Sequence, residues 1–307
     1  MQSLDIPELV LQRASANAAG ARWLVDLPRV VAELSERWGL VLGQAFAAGT
    51  AGYVVAAVES SGRHCVMKIA MPLDMDEHDT FVRSVRAHVL AGGRGCAALL
   101  AHDASVPAML LERLGPNLAE LRMPVPEIMD AIASTLQEFW RPLAHSEGLR
   151  TGAEQARWLS HYIESTWDEL GRPCERALID RAIVLCHRRE SAFDPLRSVL
   201  VHGDAHGWNT LDVGDGTYKF VDVEGLWSEP EHDLAVAMRE YNEPLMQGDT
   251  ARLVSERAEF LAGRCGLDPQ VVWEWGFIER VSTGLANVRD FDNDEGAVFL
   301  EVARRCL

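Results

Sequence analysis

The sequence predicts an α+β chain in two lobes, a β-rich N-terminal lobe followed by a mainly helical C-terminal lobe. Three observations carry that prediction. Over 43–72, "GQAFAAGTAGYVVAAVESSGRHCVMKIAMP" reads as strand, glycine-containing turn, strand, polar turn, strand. From 126 onward apolar residues recur mostly at helical spacing. One hairpin, 210–213 and 218–221 across Gly214-Asp215-Gly216, interrupts the helices.

Taken in order, "WLVDLPRVVAELSERW" over 23–38 has the apolar period of a helix, with Pro28 expected in its first turn. Ser60-Ser61-Gly62 supplies the turn between strands at 54–58 and 64–69. A helix over 77–90 stops at Gly92-Gly93. Strands near 97–101 and 108–111 lead into Glu112-Arg113-Leu114-Gly115. Helices are expected over 126–143, 152–170 and 175–189, and again after the hairpin. The organisation expected is an N-terminal lobe over 1–111, a connector over 112–116 and a C-terminal lobe over 117–307. No Pro- or Ser-rich linker separates them, so two lobes closing on a shared cleft are expected.

Composition excludes several classes. Of 307 residues, 29 are Lys or Arg and 46 are Asp or Glu, a formal charge of −17 that repels nucleic acid. The start, "MQSLDIPELVLQR", has no basic segment ahead of its apolar residues, so no secretory signal is expected. No apolar run reaches the length of a membrane span. Six scattered cysteines without a C-x-x-C pair read as reduced thiols of a cytoplasmic protein. The expectation is a monomer or weak dimer with no membrane partner.

The chemistry concentrates in "VLVHGDAHGWNTLDVGDGTYKFVDVEG", residues 199–225. His202, Asp204, His206, His232 and Asp233 could suit a metal hydrolase, but Gly203 and Gly207 make the segment a poor strand for presenting alternate ligands. Phosphoryl transfer uses the spacing better. A loop carboxylate, Asp204, can accept a hydroxyl proton, and an amide five residues on, Asn209, can bind Mg2+. Asp222, returned beside the loop by the hairpin, can complete a site of the few-ligand kind that Mg2+ accepts. The plain alternative is polar turns, which accounts for Asp215 but not for Asp222 after an apolar strand.

"VHGDAHGWN", "FVDVEG" and "EPEHDLA" resemble the motifs of the aminoglycoside phosphotransferase family, with Ala205 where the family pattern has Leu. With "WLVDLP", "VMKIAMP" and "MLLERL" ahead of them in order, the likeness extends over most of the chain and points to the streptomycin 6-phosphotransferase and hydroxyurea kinase branch. It implies a bilobal protein-kinase-like fold, Asp204 as catalytic base, Asn209 and Asp222 as Mg2+ ligands, and Lys68 on the nucleotide phosphates. Lys68 also stands out by itself, because a long cation in the apolar strand "CVMKIA" needs an anionic partner or an open edge. Asp79 or Glu77 would pair with it. Gly49 and Thr50, in the turn 47–53, would lie over the phosphates. Backbone groups of Glu112 and Leu114 would hold adenine, with apolar contact from Met109 or Leu111. Asp233 would brace the Asp204 loop or cap the helix that follows, and His202 would be structural.

The resemblance thus implies an O-phosphotransferase acting on a small-molecule antibiotic, an aminoglycoside such as streptomycin. The alternative acceptors are a nucleoside antibiotic, hydroxyurea or another hydroxylated metabolite. ATP is the expected donor, GTP stays open, and Mg2+ is the expected ion. A peptide acceptor is disfavoured by Gly203, where protein kinases carry Arg, and by the short stretch from Asp222 to Asp233. The substrate candidates are Glu224, Glu240 and Asp290, drawn from a wider set with Glu274, Glu279 and Asp292. Trp208, Trp273 and Trp275 are candidates either for stacking or for core packing.

Overall fold

The computed structural model describes residues 4–47, 52–72, 77–291 and 294–307, without the side chains of 77–79. The chain divides into two compact units, Met1–Leu114 and Gly115–Leu307.

The first unit begins with α1 (Glu8–Ser15) and α2 (Ala18–Trp38). Asn17 caps α2 by accepting the Gly20 N–H at 2.7 Å, which starts the helix five residues before the apolar period is visible. Pro28 is therefore in the helix interior, not in the first turn. Then come β1 (Leu40–Ala45), β2 (Gly52–Glu59), β3 (His64–Ala70), α3 (Glu77–Ala91), β4 (Leu99–Asp103) and β5 (Ala108–Glu112). They form an antiparallel sheet in the order β1-β2-β3-β5-β4.

Alternation along β3 explains its chemistry. Cys65, Met67 and Ile69 are buried in one cluster with Leu27, Val30, Val31 and Leu34 of α2. Lys68 projects from the opposite face, paired in register with Val54 on β2 and Met109 on β5. Because β3 has a neighbour on each side, an open sheet edge does not account for the lysine.

The second unit runs through α4 (Val125–Phe139), β6 (Arg141–Pro142), β7 (Arg150–Thr151), α5 (Gly152–Glu169), α6 (Arg176–Ser191) and β8 (Val199–Val201). It continues with β9 (Thr210–Gly214), β10 (Thr217–Phe220), β11 (Leu226–Ser228), α7 (Glu231–Arg239), α8 (Asn242–Leu245), α9 (Thr250–Cys265), α10 (Pro269–Phe291) and α11 (Asp294–Arg304). α4 stops at Phe139, short of the expected 143, because Pro142 has no N–H to continue a helix and Trp140 turns extended. α5 starts on a reciprocal capping box between Thr151 and Glu154.

The core of this unit packs Trp275, Ile278, Val281 and Leu285 of α10 against Leu159, Ile163 and Trp167 of α5 and Leu178, Ala182 and Leu185 of α6. Each of the large aliphatic side chains among them contributes roughly 1.5–3 kcal/mol by leaving water. Two small sheets lie outside the helices: β9 with β10, and β6-β8-β11-β7. At the tip of the β9–β10 hairpin Asp215 adopts φ 56° between Gly214 and Gly216, so its role is the turn. The fold is the α+β one expected, a β-sheet followed by a helical part. Among the described residues no helix is long and apolar enough to cross a membrane, and all six cysteines are free.

Candidate active site

β8 runs into a loop over 202–209 that is held in shape by α7. Asp233, in the first turn of α7, accepts the backbone N–H of His202 through Oδ2 and that of Gly203 through Oδ1, both at 2.8 Å. The same Oδ2 accepts the Trp140 indole N–H at 2.8 Å. Asp233 makes no N-cap; Pro230 occupies that position without a side-chain bond. Of the two readings of Asp233, the geometry supports the brace.

His202 is fully buried, between Phe139 and Phe220 at ring-centroid distances of 5.8 and 4.8 Å. Its Nδ1 faces the Asp204 N–H at 3.0 Å and its Nε2 faces the Val221 carbonyl at 3.0 Å. Those partners require a neutral ring with the proton on Nε2, and burial keeps its pKa below the usual histidine value. Gly203 sits at φ 93°, where an added Cβ would be 3.0 Å from the Glu224 Cβ. At Gly207 a Cβ would be 2.2 Å from the Tyr241 hydroxyl oxygen. At Gly203 the left-handed backbone disfavours any side chain and space is tight, and at Gly207 a side chain would require the Tyr241 hydroxyl to move.

The hairpin returns as the spacing predicts. Phe220 pairs with Thr210, and the Val221 N–H donates to the Asn209 carbonyl at 2.9 Å. Asp222 follows in the left-handed region, φ 57°, and is exposed. The N–H groups of Glu224 and Gly225 both donate to the His202 carbonyl at 3.0 Å. The segment 221–225 is thus tied to both ends of the Asp204 loop.

Asp204 lies amid donors. Its Oδ1 accepts from Arg239 Nη2 at 2.6 Å, and its Oδ2 from His206 Nε2 at 3.1 Å and Asn209 Nδ2 at 3.2 Å. Burial alone would raise its pKa, but the charges of His206 and Arg239 outweigh that and hold the carboxyl far below the usual range. Asn209 Nδ2 also donates to the Asp204 carbonyl at 3.0 Å. Both acceptors are oxygens, so the amide NH2 faces Asp204 and the amide oxygen faces away.

Arg239, the last residue of α7, is the main residue the sequence reading missed. It binds Asp204, Glu279 through Nη1 at 2.8 Å and Glu240 through Nε at 3.1 Å. Three carboxylates outweigh its burial and raise its pKa further above the arginine value. A signal existed: a cation closing the apolar run "LAVAM" needs buried partners. Glu279 in turn bonds His232 at 3.2 Å. Glu224 has its pKa pushed up to about 7, by burial first and then by the charges of Asp204 and Glu279.

Asp204, Asn209, Glu224, Glu240 and Glu279 are therefore brought together. Asp290 is not: it pairs with Arg289 at 2.7 Å, eleven residues beyond Glu279 on α10, about 16 Å along the axis. Glu274 is taken by Arg188 at 2.7 Å and Arg189 at 3.0 Å. Trp275 is core and bonds Glu229 at 2.7 Å, Trp273 packs against the same core, and Trp208 is 59% exposed. Gly49, Thr50 and Asp292, and the side chains of Glu77 and Asp79, lie outside the described residues. In the first unit, Glu112 clamps Ala98 twice, donating its N–H at 2.9 Å and accepting through Oε2 at 3.1 Å. Leu114 closes that unit.

A family model for aminoglycoside/hydroxyurea antibiotic resistance kinases matches residues 37–294. The chain is 27% identical over 308 residues to a streptomycin 6-kinase of Streptomyces glaucescens, covering 98% of this chain and 97% of that protein. It is 30% identical over 292 residues to a hydroxyurea phosphotransferase of Kitasatospora aureofaciens, covering 94% and 81%. Among solved structures it is similar to a thermostable mutant of the aminoglycoside phosphotransferase APH(4)-Ia in a ternary complex with ADP and hygromycin B. There the TM-score is 0.60 at 15% identity, over 90% of this chain and 96% of that one. An ethanolamine kinase of Plasmodium vivax gives a TM-score of 0.55 at 15% identity, over 88% and 82%. These last two likenesses are of fold. The family match runs from the end of α2 to the start of α11, through every element that carries the Asp204 loop and its braces, and the chain belongs to the aminoglycoside/hydroxyurea antibiotic resistance kinase family.

Proposed function

We propose that this kinase transfers the γ-phosphoryl group of ATP to a hydroxyl of an aminoglycoside, with streptomycin as the acceptor to test first. The observation that carries the reading is the cluster of acids around Asp204. Asp204, Glu240 and Glu279 share one guanidinium, Glu224 is a fourth acid with its pKa pushed up to about 7, and His206 and His232 offset the negative excess only in part. A polycationic acceptor compensates that excess; a neutral one does not. The relative that is 27% identical acts on streptomycin by its name. The second reading, a small neutral acceptor, rests on the 30% identity to a hydroxyurea phosphotransferase.

In this mechanism Asp204 orients the acceptor hydroxyl and takes its proton as the new O–P bond forms and the bond from phosphorus to the departing ADP oxygen breaks. Asp233 and His202 hold the loop, so Asp204 is positioned before substrate arrives. The donor set suits Mg2+: an amide oxygen turned away from Asp204 and a carboxylate beside the loop, two hard ligands that leave room for water and phosphate oxygens. Asn209 and Asp222 would hold the ion, which when bound neutralises phosphate charge. Lys68 is proposed for the phosphates, Gly49 and Thr50 for the turn over them, and backbone groups of Glu112 and Leu114 for adenine.

Incubation with ATP and Mg2+ and either streptomycin or hydroxyurea, read by mass spectrometry, decides the acceptor. A phosphate added to streptomycin is expected; addition to hydroxyurea alone transfers the assignment to the second reading. Asp204→Ala is expected to lower kcat by about 10²–10⁴-fold with ATP affinity kept. Near-normal turnover in that variant removes Asp204 from the base role.

A further inference from the structure

Asp204 has four acceptor positions, two on each oxygen. His206 and Asn209 occupy both on Oδ2, at 3.1 and 3.2 Å. On Oδ1, Arg239 at 2.6 Å takes one. The remaining position for an incoming hydroxyl is therefore on the oxygen that Arg239 holds. His206 and Asn209 both act on Oδ2, which leaves the carboxylate able to pivot about that oxygen, whereas Arg239 holds Oδ1 with a guanidinium of fixed geometry. Arg239 is itself 8% exposed and anchored at its other end: Nη1 donates to Glu279 on α10, and Glu279 is held by the fully buried His232, whose ring meets Trp275 edge-on at 4.5 Å. The line from α10 to the base is a chain of short contacts between rigid elements.

We infer that Arg239 is a positioning residue for the phosphoryl-transfer reaction, fixing the plane of the Asp204 carboxylate so that Oδ1 presents its remaining acceptor site to the acceptor hydroxyl. The inference rests on Asp204 being the base. The competing role is a structural ion pair, which would leave turnover intact in any variant that folds.

The test measures ADP release from ATP and Mg2+, with streptomycin as acceptor and with water alone. Arg239→Ala is expected to lower kcat about a hundredfold while the KM for ATP stays within about twofold. Added methylguanidinium, which can enter the vacated space, is expected to restore kcat at least about tenfold, a response no structural role produces. Arg239→Lys, which keeps a charge without the fork, is expected to fall between the parent and the alanine variant. If Arg239→Ala does not fold, Glu279→Gln keeps the guanidinium but loosens its anchor, and kcat is again expected to fall with the KM for ATP unchanged. A folded Arg239→Ala with parental kcat, or with a loss that methylguanidinium does not relieve, overturns the inference, as does a parental kcat in Glu279→Gln. Asp204→Asn separates the two levels. If it is inactive while Arg239→Ala is normal, only the role of Arg239 fails; if it is active, the base assignment fails and takes Arg239 with it.

Discussion

His202 illustrates how one side chain can set a loop's shape without touching the reaction. Its two ring nitrogens satisfy a donor and an acceptor that would otherwise be buried and unpaired, the Asp204 N–H and the Val221 carbonyl. One bond fixes where Asp204 leaves the backbone, and the other fixes the residue before Asp222. Replacing His202 with Leu keeps the volume and orphans both groups, at about 1–3 kcal/mol each. His202→Leu is therefore expected to lower stability by roughly 2–6 kcal/mol in chemical denaturation and to reduce kcat as well. A variant with full stability would mean that the two bonds carry no weight. At this scale the sequence was readable where partners are local. Asp204, Asn209 and Asp222 stand within one loop and one hairpin, so their spacing alone suggested a shared site. Arg239 and Glu279 stand 35 and 75 residues from Asp204 and signal themselves only by being charged in buried helices.

α7 performs two tasks from its two ends. Its first turn supplies Asp233 to the backbone of the loop, and its last residue supplies Arg239 to the Asp204 carboxylate. All nine of its residues are buried. Its end is secured by guanidinium groups: Arg257 and Arg280 both donate to the Met238 carbonyl, at 3.2 and 2.8 Å, and Arg257 Nη2 donates to the Tyr241 carbonyl at 3.2 Å. The Met238 carbonyl lies at the negative end of the helix dipole. α7 meets α10 through His232 and Glu279. Burial works against the charge on His232, but the bond and charge of Glu279 outweigh it and raise its pKa; burial likewise opposes charge on Glu279, and His232 and Arg239 outweigh it to lower its pKa. Asp233 and Glu224 also favour the charged imidazole. A raised histidine contributes stability below its unfolded pKa and loses it as pH rises through the folded value. A depressed carboxylate contributes above its unfolded pKa and loses it as pH falls. The pair is thus strongest between about pH 4.3 and 6.5. His232→Gln, which can still donate to Glu279 but cannot titrate, should show its largest Tm deficit in that window, narrowing as pH rises. A deficit that ignores pH would mean His232 stays neutral in the folded protein.

Across the whole molecule, the change from period two to period 3.6 made the order of a sheet and then helices legible, whereas β6, β7, β8 and β11 were not. Strands of two or three residues have no period to detect, and their pairing is set by contacts between distant segments. What the sequence does state at this scale is charge. A formal −17 spread over one chain gives a negative field that gathers cations and repels anions. If the acceptor is a polycation such as streptomycin, that field concentrates it near the carboxylates at Asp204, and salt screens the effect over a Debye length of about 8 Å at physiological ionic strength. Raising salt should then lower kcat/KM for streptomycin severalfold through KM, with kcat nearly unchanged. ATP carries the opposite sign, so its own kcat/KM should hold or rise under the same titration. A hydroxyurea reaction should be flat, because a neutral acceptor feels no long-range pull. Equal salt dependence for all three would mean that the chain's net charge serves solubility alone, and that any preference for a cation comes only from contacts made inside the site.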